Sequence, residues 1–387
     1  MHSVRVNRKG ADRWRSGHPW IFTSDVIDRG DAQPGEAVKV MDPRGESLGT
    51  AHFSSTSQIT LRMLSPNVID AGAAFFLERI RAAEAHRKLV VPNDSSAYRL
   101  THGEGDLLPG LVIDRYENCF VIQTLSQGMD KAQPHIVNAL TGLFQPQGIV
   151  ARNDAAVRKH ESLTSETVIV HGEVPARVGF RLNGMQLEAD LVHGQKTGIF
   201  LDQRENYKAA ARYARGRALD CFTSTGGFAL HLAKSCETVE AIDSSPLALE
   251  LAQSNATRNN IENIRWKGAD VFDILSSYSR MRVHFDTIVL DPPAFAKSRN
   301  TVDAALRGYK DINLRALRLL APGGVLVTCS CSHHVSEADL LGVAAEAALD
   351  SGRTLRVLER RAQAQDHPIL LTVPETLYLK CLILQVV

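Results

Sequence analysis

Leu219-Asp220-Cys221-Phe222-Thr223-Ser224-Thr225-Gly226-Gly227-Phe228 is an apolar run that breaks into a turn of small residues with two glycines. It reads as strand, turn and helix start. Glycines at such a turn let backbone approach a ligand closely, and a helix N-terminus favours an anionic group. The alternation continues downstream. Apolar, β-favouring runs at 238–243, 285–290 and 324–328 are separated by helical spacing at 245–260 and 309–320. Strands alternating with helices from about residue 190 predict an α/β fold with a parallel, doubly wound sheet.

Upstream the pattern differs. Runs at 37–41 and 58–64 carry strand-type side chains, and Gln33-Pro34-Gly35 and Asp42-Pro43-Arg44-Gly45 are turn signals. Residues 1–70 therefore predict a small β-barrel. Between 71 and 90, Phe75, Phe76, Ile80 and Ala83 fall on one face of a helix. Beyond it, 111–116 and 120–124 predict a hairpin turning at Glu117-Asn118, with a helix over 131–143 and strands at 149–151 and 167–170. The expected organisation is a barrel over 1–70, a central α+β domain over 71–185 and the α/β domain over 186–387.

Composition narrows the classes. A chain of 387 residues predicts two or three domains, and 44% hydrophobic with 22% charged residues is a globular balance. A net charge of +1 excludes a uniformly basic nucleic-acid binder, so any such contact must be local. The opening MHSVRVNRKG has no apolar core of a signal peptide, and no stretch approaches the ~18 apolar residues of a membrane span. The six cysteines form no CxxC pair and no zinc-type spacing, which predicts no metal and a reducing, cytoplasmic setting.

The double-glycine turn is not G-x-G-x-x-G, so a nicotinamide cofactor loses its main support. S-adenosylmethionine has no pyrophosphate and needs no such cradle. Asp243, followed by Ser244, lies 23 positions after Asp220 at the next strand end, placed to accept ribose hydroxyls. Asp270 closes a third predicted strand, within reach of an adenine amino group. Either carboxylate alone is as well explained as a turn or helix cap. At the next strand end, Asp291-Pro292-Pro293-Ala294-Phe295 is a stiffened loop suited to gripping a planar base, with Phe295 to stack on it. The last strand ends in Cys329-Ser330-Cys331. A cysteine there can add to C6 of a pyrimidine and make C5 nucleophilic toward a methyl donor, or it can be a small core side chain. Alternation puts Cys329 and Cys331 on one face if the strand continues, so spacing does not choose between them.

These motifs, with His18-Pro19-Trp20, Thr101-His102-Gly103-Glu104-Gly105-Asp106, Gln195 through Arg204, Tyr309-Lys310-Asp311-Ile312-Asn313, Ser330-Cys331-Ser332 and Asp366-His367-Pro368, resemble the bacterial 23S rRNA (cytosine-5) methyltransferases of the RlmI type over nearly the whole chain. The resemblance implies a PUA RNA-binding barrel, a central β-β-α-β-β domain and a Rossmann-like class I methyltransferase domain. It implies Cys331 as catalytic nucleophile with Asp291 beside the base, and S-adenosylmethionine as cofactor. Lys196, Thr197, Phe200, Asp202 and Arg204 are implied to lie beside the cofactor pocket, next to the residues that the glycine turn and the strand ends already offer for it: Asp220, Phe222, Thr225, Gly226, Gly227, Asp243, Ser244, Asp270 and Asp291. The implied partner is 23S rRNA, with no membrane and room for a homodimer. Arg5, Arg8, Lys9, Arg13 and Arg15 would suit phosphate contacts, and Trp14 and Trp20 would stack or pack. Two other readings stay open: a guanine N2 methyltransferase on the same fold, and a non-catalytic RNA-binding assembly factor.

Overall fold

The structure, a computed structural model, describes every residue except 195, 196 and 297. It divides into two compact units. One holds Met1–Gly184, Ala189–Ile199 and Gln365–Thr376; the other holds Met185–Glu188, Phe200–Ala364 and Leu377–Val387.

The first unit contains two sheets. Strands β1 (Ser3–Val6), β2 (Trp20–Phe22), β3 (Val26–Asp28), β4 (Ala37–Met41), β5 (Ser47–Phe53) and β6 (Ile59–Ser65) form a six-stranded sheet in the order β2-β6-β5-β4-β1-β3. Alternation along β1 and β4 buries Val4, Val6, Val38 and Val40 in one cluster. Where only strands were expected, Arg8–Arg15 is a helix, α1. The Asn7 side chain caps it by accepting from Gly10 N–H at 2.8 Å, and Ala11 and Trp14 pack into the same cluster. A short helix that is otherwise charged shows little apolar period, which is why the sequence did not announce it.

The second sheet has the order β11-β10-β9-β8-β7, from β7 (Ala97–His102), β8 (Leu111–Tyr116), β9 (Cys119–Thr124), β10 (Gly148–Asn153) and β11 (Glu166–Gly172). It has one leading strand more than the implied β-β-α-β-β pattern. Helices α2 (Ala73–Val90), α3 (Gln127–Lys131) and α4 (Gln133–Phe144) cover it, with Phe76, Ile80, Ile136 and Leu140 in its core. Strand β12 (Val178–Leu182) follows in this unit, whereas β13 (Met185–Ala189) falls, apart from Ala189, in the second.

The second unit is built on a seven-stranded sheet. Its strands are β14 (Arg217–Cys221), β15 (Thr238–Asp243), β16 (Ile264–Gly268), β17 (Phe285–Leu290), β18 (Leu320–Ser330), β19 (Leu355–Arg361) and β20 (Lys380–Val386), in the order β16-β15-β14-β17-β18-β20-β19. The first five are mutually parallel. The sheet departs from the expected all-parallel form at β20, which runs antiparallel between β18 and β19. Helices α5 (Arg204–Tyr213), α6 (Gly227–Leu232), α7 (Pro246–Arg258), α8 (Val271–Met281), α9 (Val302–Leu319) and α10 (Glu337–Ser351) connect and cover the strands. Helix α9 begins seven residues before the expected start at Tyr309 because Gly308 interrupts its pattern. That glycine makes room for Phe295, whose ring a Cβ at 308 would meet at 3.2 Å. The order of the parallel strands reverses around β14, and ligands of such sheets bind beyond the carboxyl ends at that point. Among the described residues, no helix is long and apolar enough to cross a membrane.

Candidate active site

The turn after β14 is strained. Phe222 and Ser224 hold φ values of 64° and 49°, a region that side chains rarely occupy. Hydrogen bonds hold it there: Thr223 N–H donates to Ile242 O at 2.9 Å, Ser224 N–H to Asp243 Oδ2 at 2.8 Å and Gly226 N–H to Thr223 O at 2.9 Å. Thr225 is half-buried between them. The glycines answer to protein neighbours. A Cβ on Gly226 (φ 84°) would stand 2.9 Å from the Trp266 ring, and one on Gly227 would stand 2.4 Å from the Tyr207 ring.

The three strand-end aspartates differ in kind. Asp220 is fully buried; its Oδ2 accepts from Thr223 Oγ1 at 2.6 Å and from Ala229 N–H at 2.9 Å. Its Oδ1 is buried with no partner among the described residues. Burial, reinforced by the nearby Asp291 and Asp243 charges, pushes the Asp220 carboxyl up to about 7. Asp243 ties two loops, accepting from Ser245 N–H at 2.9 Å as well as from Ser224. Ser244 beside it is exposed. Asp270 is the N-cap of α8, and a single oxygen, Oδ1, accepts from Phe272 N–H at 2.8 Å and Asp273 N–H at 3.2 Å. The cap reading is thus correct for Asp270, an exposed residue.

Asp291 follows β17 immediately, and its N–H reaches Cys221 O at 3.4 Å. Gln203 Nε2 donates to Asp291 Oδ1 at 3.0 Å while Gln203 Oε1 accepts from Asn206 at 2.7 Å. Tyr207, buried nearby, has its phenol raised well above the usual range by burial and by Asp291, Asp202 and Asp220. Carboxylates this close disfavour one another's charge and favour a cation. S-adenosylmethionine carries a sulfonium and an ammonium, so the acidic cluster and the unpartnered Asp220 Oδ1 fit it.

Strand β18 ends at Ser330, so the alternation that would pair Cys329 with Cys331 does not extend to residue 331. Cys329 is fully buried opposite Cys381 on β20, and burial raises its thiol well above the usual range. Cys331 is half-buried in the turn. The serines around it are fully buried and share one hydroxyl: Ser330 Oγ donates to Tyr309 Oη at 2.9 Å, and Ser332 Oγ lies 3.0 Å from the same atom. Ala296 N–H, from the Asp-Pro-Pro loop, donates to Ser332 Oγ at 3.2 Å. Phe295 packs on Tyr309 with ring centroids 4.7 Å apart and lies 6.3 Å from Phe272. Its half-buried ring supports the loop through these contacts.

The other predicted residues scatter. Lys196 lies outside the described residues. Thr197 falls in the first unit, where its hydroxyl donates to Asp114 Oδ2 at 2.5 Å. Phe200, Asp202 and Arg204 fall in the second. Asp202 accepts from Tyr378 Oη at 2.7 Å, and Arg204 is fully buried. Of the basic cluster, Arg5 is exposed on β1 and Arg8 is paired only loosely with Asp12 at 3.8 Å. Arg13 is committed to buried Asp25 at 2.5 Å and lies over the Phe22 ring; Lys9 stands 3.9 Å from the same carboxylate. Arg15 bonds Asp42 at 2.8 Å. Trp14 is buried, and Trp20 donates its indole N–H to Glu104 at 2.8 Å. Gln203, Tyr207 and Ser332, which hold the site together, were not singled out by spacing. They lay inside or beside the quoted motifs, and only the fold shows what each touches.

Comparison with known proteins fits this arrangement. A family model described as S-adenosylmethionine-dependent methyltransferase matches residues 137–383, more than half of the chain, and one described as PUA-like domain matches residues 4–66. The class is that of enzymes that use S-adenosylmethionine as methyl donor. Relatives that match over nearly the whole chain narrow it further. A protein of Tolumonas auensis is 42% identical over 96% of both chains, one of Shewanella frigidimarina 41% over 95%, and one of Vibrio vulnificus 41% over 94%. All three are named ribosomal RNA large subunit methyltransferase I, and the chain belongs to their family. In fold it is similar to a methyltransferase crystallised with SAH (TM-score 0.86, 19% identity, 100% of both chains) and to a SAM-dependent methyltransferase from Streptococcus mutans (TM-score 0.84, 19%, 100% of both).

Proposed function

We propose that this enzyme methylates C5 of a cytosine in 23S rRNA, in the cytoplasm, through a covalent adduct on Cys331. The observation that carries the reading is the position of that thiol. It emerges half-buried from the end of β18, between two locked serines, and is joined to the Asp-Pro-Pro loop by the Ser332–Ala296 hydrogen bond. The relatives' shared name supports the choice of large-subunit rRNA.

When bound, S-adenosylmethionine supplies an electrophilic methyl group. Asp243 and Ser244 would hold its ribose, Asp270 its adenine, and the turn from Phe222 through Gly227, with Asp220, its methionine end. Phe200, Asp202 and Arg204 would lie beside that end of the pocket. The Cys331 thiolate forms the bond to C6 of the cytosine, and the ring electrons move to C5. Asp291, oriented by Gln203, bonds the base at N3 and N4 and stabilises the adduct. After methylation the C5 proton leaves to a base, the ring electrons return, and the sulfur–C6 bond breaks. The domains over 1–70 and 71–185 would deliver the RNA, with Arg5, Arg8 and Lys9 on its phosphates and Arg13 and Arg15 held back by Asp25 and Asp42. A cytosine within a helix has to be flipped out, costing a few kcal/mol.

RNA substituted with 5-fluorocytosine tests the chemistry, because fluorine at C5 blocks the final elimination. The wild type is expected to form an adduct stable to denaturation, located at Cys331 by peptide mass spectrometry. Cys331→Ser is expected to form none and to lose methyl transfer by on the order of a thousandfold or more. Methyl transfer with no adduct would favour an amino-group acceptor such as guanine N2. RNA affinity with no methyl transfer would favour an assembly factor.

A further inference from the structure

Lys380 opens β20 as the antiparallel partner of Ser330, two residues before Ser332 on the facing strand's exit. Its side chain is buried, with the residue only 5% exposed. The ammonium donates to Ser332 O at 2.7 Å and Tyr378 O at 2.9 Å. Those carbonyls take two of its three N–H groups and bring no charge. Among the described residues, Lys380 has no carboxylate in ion-pair contact. A buried ammonium held only by neutral carbonyls is expensive and calls for an anion nearby.

We propose that Lys380 is the positioning residue of the nucleophile, a buried ammonium anchored beside Cys331 so that its thiol ionises in the resting enzyme. This rests on the assignment of Cys331 as nucleophile. The groups around the pair come from every neighbouring element. Cys329 and Cys381 are on the two strands, Tyr309 is on α9, Asp339 is on α10, His333 and His334 follow the cysteine, and Asp291 lies beyond β17. Burial pulls Lys380 down to about 8, and Cys331 followed by Asp339 pulls it back up. Burial and Lys380 lower His333, which favours its neutral form, so it is a poor alternative source of positive charge. Tyr309, raised by burial, stays a neutral hydroxyl shared by the two serines. Lys380 is therefore the cation that favours the thiolate. The thiol proton passes to solvent, and the sulfur lone pair is then ready for the bond to C6.

The test is alkylation of the full chain with iodoacetamide, followed at the Cys331 peptide across pH. The rate follows the thiolate, and the reaction needs neither RNA nor methyl transfer. Wild type is expected to show an inflection at least about one unit below the ordinary thiol value of about 8.5. Lys380→Met is expected to move it up by about one unit, slowing alkylation at neutral pH by about tenfold. Lys380→Arg is expected to restore the rate to within about threefold, since it keeps the charge. A purely structural lysine predicts lower stability with an unmoved inflection, and that result overturns the proposal. A wild-type inflection at or above the ordinary value overturns it too, even if Lys380→Met does not fold. The two assignments fail separately: full turnover by Cys331→Ser removes the nucleophile, whereas an unmoved inflection with inactive Cys331→Ser removes Lys380 alone.

Discussion

The amide of Ala296 donates to Ser332 Oγ at 3.2 Å, and this bond ties the loop that presents Asp291 to the turn that presents Cys331. The two side chains proposed to react both lie outside regular structure, on segments that pack against α9 through Phe295 and Tyr309. Their relative placement depends on contacts between the two segments.

Ser332→Ala removes the acceptor and leaves a buried N–H unpaired, which costs about 1–3 kcal/mol. The expected outcome is a modest loss of stability with a fall in kcat of about tenfold, because small misplacements of reacting groups are costly. Denaturant unfolding and single-turnover methyl transfer check the two parts. An unchanged rate would mean that the two segments hold their places without this bond.

Gly227→Ala should be destabilising for a reason unrelated to the cofactor. Its Cβ would press on the Tyr207 ring at 2.4 Å, an overpacking that typically costs about 1–3 kcal/mol. Tyr207→Leu should relieve it, so the double variant is expected to be more stable than the two single losses add up to. Strict additivity in chemical denaturation would show that the glycine is required by something other than this ring.

The basic residues of β1 and α1 should separate into two groups. Arg13→Ala strips a buried aspartate of its direct partner and is expected to lower the stability of the first unit by about 1–3 kcal/mol. Arg5→Ala and Arg8→Ala are expected to leave stability within about 0.5 kcal/mol. If they meet RNA phosphates, each should reduce the slope of log affinity against log salt by about 1. RNA binding at several salt concentrations, beside thermal melts, distinguishes anchors from contacts.

Much of this was legible in the sequence because local patterns carry it. Strand, glycine turn and helix at 217–232 follow from apolar period and turn chemistry, and so do the aspartates at successive strand ends. The sequence offered each aspartate a cap or turn role beside a ligand role and did not choose between them. Asp270 caps a helix and Asp243 bridges two loops, and a sequence shows a carboxylate without its hydrogen-bond donors. Cys329 and Cys331 looked equivalent because the strand's last residue could not be read; its end at Ser330 separates them. Lys380 was out of reach altogether. It lies 49 positions after Cys331, on an antiparallel strand that the alternating pattern did not foretell.

Asp220 gives the chain a measurable pH signature. In the unfolded chain its carboxyl titrates near 3.9, whereas in the fold burial and the neighbouring acids raise it to about 7. The folded state therefore holds this proton more tightly than the unfolded one. Its stabilising contribution is complete below about pH 4 and is lost as pH rises through about 7, by at most about 4 kcal/mol. Asp220→Asn keeps an oxygen for Thr223 and Ala229 but has no charge to lose. Against wild type, the variant should gain in relative stability as pH rises from about 4 to about 8, with most of the change in that window. Urea unfolding of both proteins across that range measures the difference directly. The same carboxylate, once ionised, should welcome the cationic cofactor, so wild-type affinity for S-adenosylmethionine should rise over the same window while that of Asp220→Asn stays flat. Parallel pH dependences for the two proteins, in both stability and affinity, would show that Asp220 titrates as an ordinary carboxylate despite its burial.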